Sequence, residues 1–194
     1  MKKLLCSVVI IGLALFEVFA GPFGLEWGMS LNDVKAKGEI LTELEATYSS
    51  RAFSYLPNKR HSSFVEYEIE LGYEEGLMRV AAGSSAIKSN KYGTEVKAAF
   101  ESISASLSKV YGEPIEEIEE VDKESFWVKD SPDWMMSLYE GSRQIMTIWG
   151  NEDTAVVLSI EPITIQSARL ILLYESPQYY HYLNRIESAE NSVF

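Results

Sequence analysis

Apolar and polar residues along this chain recur with two different periods, and these periods divide it into predicted strands and helices. Within residues 64–71, four apolar residues alternate with glutamates: Val65, Tyr67, Ile69 and Leu71. Side chains two positions apart share one face of a strand, so the pattern predicts a half-buried strand with one carboxylate face. The carboxylates of that face are Glu66, Glu68 and Glu70. Because carboxylates in a row repel one another, we expect this face to lie in open solvent.

Four other segments have the pattern of strands. They are residues 77–84, 143–149, 154–160 and 168–174. Turn-forming residues precede the first of these segments and separate the second from the third. The last segment is apolar except for Arg169, which predicts a strand near the centre of a sheet. Residues 39–60 have no clear period and stay unassigned.

A helical period is strongest in the segment that follows Thr94. Apolar residues recur there three or four positions apart: Val96, Phe100, Ile103, Leu107 and Val110. This spacing puts them on one face of a helix and leaves polar residues on the other. Thr94 is the candidate N-cap, and Gly112 and Pro114 predict the end of the helix.

A shorter helix is predicted over residues 31–37. Ser30 is a good N-cap for it, and Asp33 stands at the N3 position, where a carboxylate suits the free N–H groups. Gly38 follows the last helical residue and suits the C′ position.

Two more helices are predicted in the second half of the chain. The sequence Ser131-Pro132-Asp133 predicts a helix over residues 132–140 with proline in its first turn. Pro177 begins a C-terminal helix that we expect to extend to about residue 186.

Each half of the chain therefore contains a helix followed by strands. Sequential antiparallel strands covered by helices predict an α+β fold, with an antiparallel sheet and helices packed on one face. The two helix-then-strands halves leave a structural duplication open, although the sequence contains no clear repeat. Because no long linker rich in proline, glycine or serine interrupts it, we expect residues 21–194 to form a single α+β domain.

The first 20 residues have the pattern of a bacterial secretory signal peptide. Lys2 and Lys3 precede a mostly apolar run, and the expected cleavage site lies between Ala20 and Gly21. A spanning helix needs about 20 apolar residues, whereas Glu17 interrupts this run early. We therefore expect a periplasmic or secreted bacterial protein with no stable membrane span after cleavage.

Composition and charge disfavour several functions. The chain of 194 residues carries 29 acidic and 17 basic side chains, which gives a net charge of −12 at pH 7. Nucleic-acid binding draws much of its affinity from Lys and Arg that neutralise phosphates, so the acidic balance disfavours it. The one cysteine, Cys6, lies in the predicted leader, so the cleaved chain has no thiol for a disulfide or a nucleophile.

The sequence contains no recognisable catalytic or metal-binding motif. GxSxG, HExxH and glycine-rich phosphate loops are missing, and neither His61 nor His181 is paired with a nucleophile. The acidic segment from Glu116 to Glu124 lacks the spacing of a calcium loop, which favours a solvated face. A carboxylate pair for glycoside hydrolysis leaves no spacing in sequence, so that chemistry stays open. We predict no catalytic residues, no metal site and no cofactor.

Aromatic residues are the remaining candidates for recognition. Tyr179, Tyr180 and Tyr182 cluster in the predicted C-terminal helix, where Tyr179 and Tyr182 share a face and Tyr180 points elsewhere. Core packing with scattered exposure is the favoured interpretation of such aromatic residues. A recognition patch is the alternative, and these three tyrosines are its candidate binding residues. Trp27 and Trp134 lie beside helix starts and are expected in the core.

Two segments carry a resemblance to known proteins. Residues 23–34, with the pattern FGxxWGMSxxDV, resemble the opening of a loose group of small exported bacterial proteins of uncharacterised function. Residues 107–114, with the pattern LxxxYGxP, and Trp127 downstream resemble a second segment of that group. The helix start at residues 28–30 is similar to the repeat of the β-lactamase-inhibitor-protein-like fold, although the disulfides of the inhibitor are missing here. The resemblance implies an exported α+β interaction domain and no activity.

These observations favour an exported binding module without catalysis, whose partner is a protein or a small molecule of the cell envelope. Two alternatives stay open. The first is a small-ligand carrier, which needs an enclosed apolar pocket lined by several tyrosines. The second is a hydrolase that uses carboxylates and acts on cell-envelope or glycan material.

Overall fold

The computed structural model describes residues 21–46, 49–130 and 132–191. The predicted signal peptide and its Ala20 lie outside the described residues, as does Ser131 of the predicted helix start. Gly21 is the first described residue.

The first half of the chain contains one helix and four strands. After a 3₁₀ turn at Pro22–Gly24, they are α1 (Leu31–Lys37), β1 (Gly38–Leu44), β2 (Ser50–Pro57), β3 (Glu66–Gly72) and β4 (Gly76–Gly83). The predicted start of α1 is confirmed, because the Ser30 hydroxyl accepts from the Asp33 backbone N–H and the Asp33 carboxylate accepts from the Ser30 N–H. This reciprocal pair satisfies two N–H groups that a helix start leaves without partners.

The second half has a longer helix, three shorter helices and five strands. They are β5 (Ile87–Lys88), α2 (Thr94–Tyr111), β6 (Glu116–Val121), α3 (Phe126–Lys129), α4 (Trp134–Tyr139), β7 (Arg143–Gly150), β8 (Ala155–Thr164), β9 (Ser167–Glu175) and α5 (Pro177–Asn191). The five predicted strands correspond to β3, β4, β7, β8 and β9.

The strands of the described chain form one antiparallel sheet in the order β1-β2-β3-β4-β9-β8-β7-β6, and β5 pairs with β9. The predicted α+β class with an antiparallel sheet is confirmed. The last long strands of the two halves, β4 and β9, are neighbours at the centre, and each half continues outward from them in reverse order. The central position predicted for residues 168–174 is confirmed.

One face of the sheet, here called the core face, carries the hydrophobic core. Alternate residues of β2, β3, β4, β8 and β9 contribute to a single cluster that also contains side chains of α1, α2 and α4. The helical members of this cluster are Val34, Val96, Ile103, Leu107, Met135 and Leu138. Trp27 and Trp134 pack against the same cluster, as predicted. Helix α5 is the exception, since it contacts β4 and lies beside Arg79, whose side chain points to the opposite face.

Two predicted helix starts differ from the observed ones. The N-cap of α2 is Gly93 rather than Thr94, because the side chains of Ser89 and Asn90 already accept from the first backbone N–H groups of the helix. The N-cap of α4 is Asp133, whose Oδ1 accepts from the Met136 N–H at 2.9 Å. Pro132 therefore precedes α4 instead of standing in its first turn.

Candidate functional site

The face of the sheet opposite the core, here called the open face, carries a band of apolar side chains. Helices α2 and α4 contact β7, β8 or β9 and contribute their buried side chains to the core cluster. These two helices therefore cover the core face and not the open face. Cross-strand pairing aligns one row of six side chains across six strands, and all of them are half-buried or exposed. This row is Glu68, Ala81, Leu173, Val157, Ile148 and Glu116.

A second row lies two residues further along the same strands. It consists of Glu66, Gly83, Ile171, Ser159, Met146 and Ile118. Neighbouring strands lie about 4.8 Å apart, so a row that crosses six strands is about 24 Å long. The apolar band is therefore centred on β8 and β9, and exposed glutamates border it on β3 and β6.

The local sequence explains why this face is apolar at its centre and acidic at its sides. Strands β8 and β9 carry apolar residues at consecutive positions, so both faces of these strands are apolar. Strand β3 alternates apolar residues with glutamates, and its glutamates point to the open face. Strand β6 is an edge strand rich in glutamate, and charged edges resist pairing with other chains.

One corner of the open face is a charged cluster under α5. The Arg79 guanidinium lies between two carboxylates, with Nη1 3.7 Å from Glu70 and Nε 3.5 Å from Glu175. The Ser50 hydroxyl donates to Glu70 at 2.8 Å. The side chains of Glu70 and Glu175 are only 15% and 13% exposed. The expectation of solvent-exposed carboxylates therefore holds for Glu66 and Glu68, although Glu66 also pairs with the Arg169 guanidinium at 2.8 Å. It is wrong for Glu70, which is mostly buried beside Arg79 from the next strand.

The three candidate tyrosines lie in α5 beside this cluster, and only one of them is well exposed. Tyr182 is 1% exposed and stacks on Tyr179, with ring centroids 6.2 Å apart. Tyr179 lies over the Arg79 guanidinium at 5.6 Å. Tyr180 points away, is 48% exposed and donates its hydroxyl to Glu175 at 3.0 Å. The predicted shared face of Tyr179 and Tyr182 is confirmed, and a role of the three in binding stays a prediction.

Replacing Arg79 with methionine should destabilise the fold. Arg79→Met keeps an unbranched apolar stem but leaves Glu70 and Glu175 without the positive charge between them, and removes the cation under Tyr179. We expect the free energy of unfolding to fall by about 1.5 kcal/mol, as measured by urea denaturation. Arg51→Met is the matched control, because Arg51 and Glu43 form an exposed pair, and it should change stability little. The interpretation is wrong if Glu175→Gln fails to recover stability in the Arg79→Met background.

A second candidate site is a concave one on the core face, between the 3₁₀ turn, α2 and β9. It is here called the aromatic cleft. It has a volume of about 260 Å³. Its lining is almost entirely apolar or aromatic: Gly21, Pro22, Phe23, His61, Phe64, Ile103, Ser106, Leu107, Val110, Tyr111, Leu172 and Tyr174. Phe23 makes edge contacts with Phe64, Tyr67 and Tyr174, at centroid distances of 6.5, 4.9 and 5.8 Å.

The polar groups of the aromatic cleft are two phenols, a serine and a histidine. Burial raises the pKa of Tyr174, and the neighbouring Tyr111 raises it further. Burial also raises the pKa of Tyr111. Both phenols therefore stay protonated at neutral pH. His61 is an exposed turn residue, as predicted, and its Nδ1 accepts from the Ser63 N–H at 3.2 Å. His181 is exposed on α5, also as predicted.

Sequence reasoning missed both of these surfaces. The apolar runs of β8 and β9 are a signal for the open face, because a strand that is apolar on both faces needs cover on both. The aromatic cleft has no comparable signal, since Phe23, Tyr111 and Tyr174 come from distant parts of the chain and carry no spacing.

The acidic segment after Pro114 forms β6 and the turn that follows it, and its carboxylates are exposed. Across residues 21–46, 49–130 and 132–191, no group of three or more His, Cys, Asp and Glu side chains is arranged to hold a metal ion. Every helix in these same ranges is too short or too polar to cross a lipid bilayer.

Comparisons of this chain with protein-family models, with curated proteins and with solved structures find no match.

Proposed function

We propose that this protein is an exported, non-catalytic binding module that docks a partner protein on the open face of its sheet. The observation that carries the proposal is the row in which Ala81, Leu173, Val157 and Ile148 lie between exposed glutamates at both ends. Apolar side chains on an uncovered sheet face lose contact with water when a partner covers them. Contiguous apolar surface with a polar rim is typical of protein interaction sites.

The charge pattern of the row supports a partner with basic ends. Glu68 and Glu116 at its ends favour lysine or arginine on the partner, on either side of an apolar segment. The row is about 24 Å long, which matches an amphipathic helix of about 16 residues with basic ends. A second copy of this chain fits less well, because two chains that each carry a net charge of −12 repel one another.

The proposed location rests on the N-terminal sequence. Lysines, an apolar run and the Ala20–Gly21 site follow the order of a secretory signal, which supports a periplasmic or secreted partner. An acidic surface also suits partners with basic recognition segments in that compartment.

The two alternatives differ in their support. A small-ligand carrier is the second candidate function, because the aromatic cleft is apolar and two tyrosines line it.

The carboxylate-dependent hydrolase needs an acid whose pKa is raised. Within residues 21–46, 49–130 and 132–191, three carboxylates have displaced pKa values, and hydrogen bonds lower the pKa in each case: Asp33, Glu43 and Glu95. Their displacement is opposite to the one that a catalytic acid requires.

Site-specific photo-crosslinking in the native envelope tests the proposed docking face. A photoreactive amino acid at Val157 sits in the middle of the apolar row, and the same amino acid at Leu41 is the control on β1, where the side chain is 52% exposed. We expect one partner to crosslink through Val157 and not through Leu41. Its crosslinked peptide should carry lysine or arginine on both sides of an apolar segment.

Reversing the charges at the two ends of the row tests the same proposal with the same crosslinking assay. Replacing Glu68 and Glu116 with lysine should abolish the Val157 crosslink, because both ends of the row would then repel a basic partner. The double replacement of Glu101 and Glu113 with lysine changes the net charge by the same amount, at exposed residues outside the open face. This control variant should preserve the Val157 crosslink. Equal loss in both double variants, or equal crosslinking from Val157 and Leu41, would overturn the proposal.

A further inference from the structure

We propose that the aromatic cleft binds a small planar aromatic molecule that carries a hydrogen-bond-accepting group, such as an aromatic carboxylate. The cleft lies on the core face, opposite the proposed docking face, so the two proposals succeed or fail independently.

The size of the cleft sets the size of the ligand. An apolar protein cavity of about 150 Å³ holds one benzene ring. The aromatic cleft, at about 260 Å³, therefore has room for one or two fused rings with a small substituent. It is open to solvent on one side, at the exposed Val110 of α2, so a ligand can enter without any movement of the sheet.

The walls of the cleft favour a flat, aromatic ligand. Phe23 already meets both Phe64 and Tyr174 edge to face at the cleft wall, and a further ring can join the same arrangement. Phe23 reaches its place through a left-handed backbone conformation, with φ of 58°. Residues with a Cβ avoid that conformation, and departures of this kind concentrate where a side chain is held for a ligand. The backbone thus holds the Phe23 ring at the cleft wall.

The Tyr174 hydroxyl is the observation that points to a polar group on the ligand. Tyr174 is 7% exposed and lines the cleft, yet no described residue forms a hydrogen bond with its hydroxyl. Its oxygen is open to solvent at the cleft, so the hydroxyl is free to donate. A ligand atom that accepts from this hydroxyl would take the place of solvent there.

The other polar groups of the cleft also favour a ligand that accepts hydrogen bonds. The Tyr111 hydroxyl also lacks a hydrogen-bond partner among the described residues. His61 accepts at Nδ1, so the neutral ring carries its proton on Nε2 and offers a donor. The described residues that line the cleft include no carboxylate, although the chain has 29 acidic residues. A carboxylate or carbonyl on the ligand therefore meets donors and no negative charge.

Calorimetric titration with 2-naphthoate tests the proposal on the purified full-length protein. We expect saturable binding by the wild type and weaker binding of cyclohexanecarboxylate, which has the same acceptor but is not planar. Tyr174→Phe removes only the hydroxyl and should weaken 2-naphthoate binding about 10-fold, the effect of one hydrogen bond to a charged group. Without ligand, this variant should be as stable as the wild type, because its missing hydroxyl had no partner.

A pair of tryptophan variants on α2 provides the matched control. Val110→Trp places a large ring at the mouth of the cleft and should block 2-naphthoate, whereas Ala105→Trp adds the same ring at an exposed position outside it and should not. Three results would each overturn the proposal: no binding by the wild type, equal affinities of Tyr174→Phe and the wild type, or equal affinities of the two tryptophan variants. A loss of ligand-free stability in Tyr174→Phe would overturn the assignment of its hydroxyl to a ligand.

Discussion

Trp149→Ala should lower the free energy of unfolding by about 4 kcal/mol, the largest effect of any single substitution considered for this protein. Trp149 is 0% exposed and is among the largest of the fully buried side chains. It lies at the end of β7 on the core face, and its Nε1–H donates to the Ser108 hydroxyl of α2 at 3.1 Å. Alanine removes the apolar contacts, leaves a cavity between the helix and the sheet, and frees the serine hydroxyl.

Equilibrium unfolding in urea, followed by circular dichroism, measures this loss without relying on tryptophan fluorescence. Trp127→Ala is the matched control, because Trp127 lies in α3, is half-buried and stands outside the core cluster. Trp149→Phe fills most of the same space and should lose less stability than Trp149→Ala. A similar loss in Trp149→Ala and Trp127→Ala would contradict the assignment of Trp149 to the core.

Gly93→Ala should destabilise the fold by about 3 kcal/mol, for two separate reasons. Gly93 has φ of 73°, a left-handed conformation that disfavours any residue with a Cβ. An added Cβ would also lie 2.8 Å from Cδ2 of Trp134 and closer still to two other ring atoms. The ring has little room to move, because it packs against the core and the Lys97 ammonium lies 4.5 Å from its centroid.

Gly112→Ala separates the two causes. Gly112 has φ of 85°, yet an added Cβ would meet nothing within 4 Å. This control should therefore lose only the backbone contribution, about 1 kcal/mol. The difference between the two variants in urea unfolding measures the clash with Trp134. If Gly93→Ala and Gly112→Ala lose the same stability, the ring does not hold the position that the structure gives it.

The two proposed binding surfaces depend on adjacent residues of one strand. In β9, Leu173 points to the open face, whereas Leu172 and Tyr174 point to the core face and line the aromatic cleft. Because side chains alternate along a strand, a substitution at one surface leaves the other surface in place. Tyr174→Phe should therefore not affect the Val157 crosslink, and the charge reversals at the ends of the row should not affect 2-naphthoate binding.

Several elements were predictable because their signals are local. The predicted bounds of α1, residues 31–37, are confirmed, since a capping serine acts within a few residues of the helix start. The C′ role predicted for Gly38 is wrong, because Gly38 is the C-cap in extended backbone and already begins β1. The alternation that predicted β3 is equally local, and so is the period of α2. The shared face of Tyr179 and Tyr182 follows from helical geometry alone.

The missed elements depend on contacts with distant residues. Strand β6 is rich in glutamate, a residue with low strand propensity, and exists because its backbone pairs with β7. Strands β1 and β2 fall in the segment that had no clear period, and they form by pairing with each other and with β3. In each case, pairing outweighs local preference.

The sequence by itself determined the class of fold, the long helices and strands, and a strongly acidic surface, because periodicity, caps and charge are properties of neighbouring residues. Only the tertiary structure decided which residues form the candidate sites. It aligned Glu68, Leu173 and Glu116 in one row, placed Arg79 between two carboxylates, and left the Tyr174 hydroxyl facing a cleft. These arrangements arise from strand order and register, and pairing between distant strands leaves no spacing along the chain.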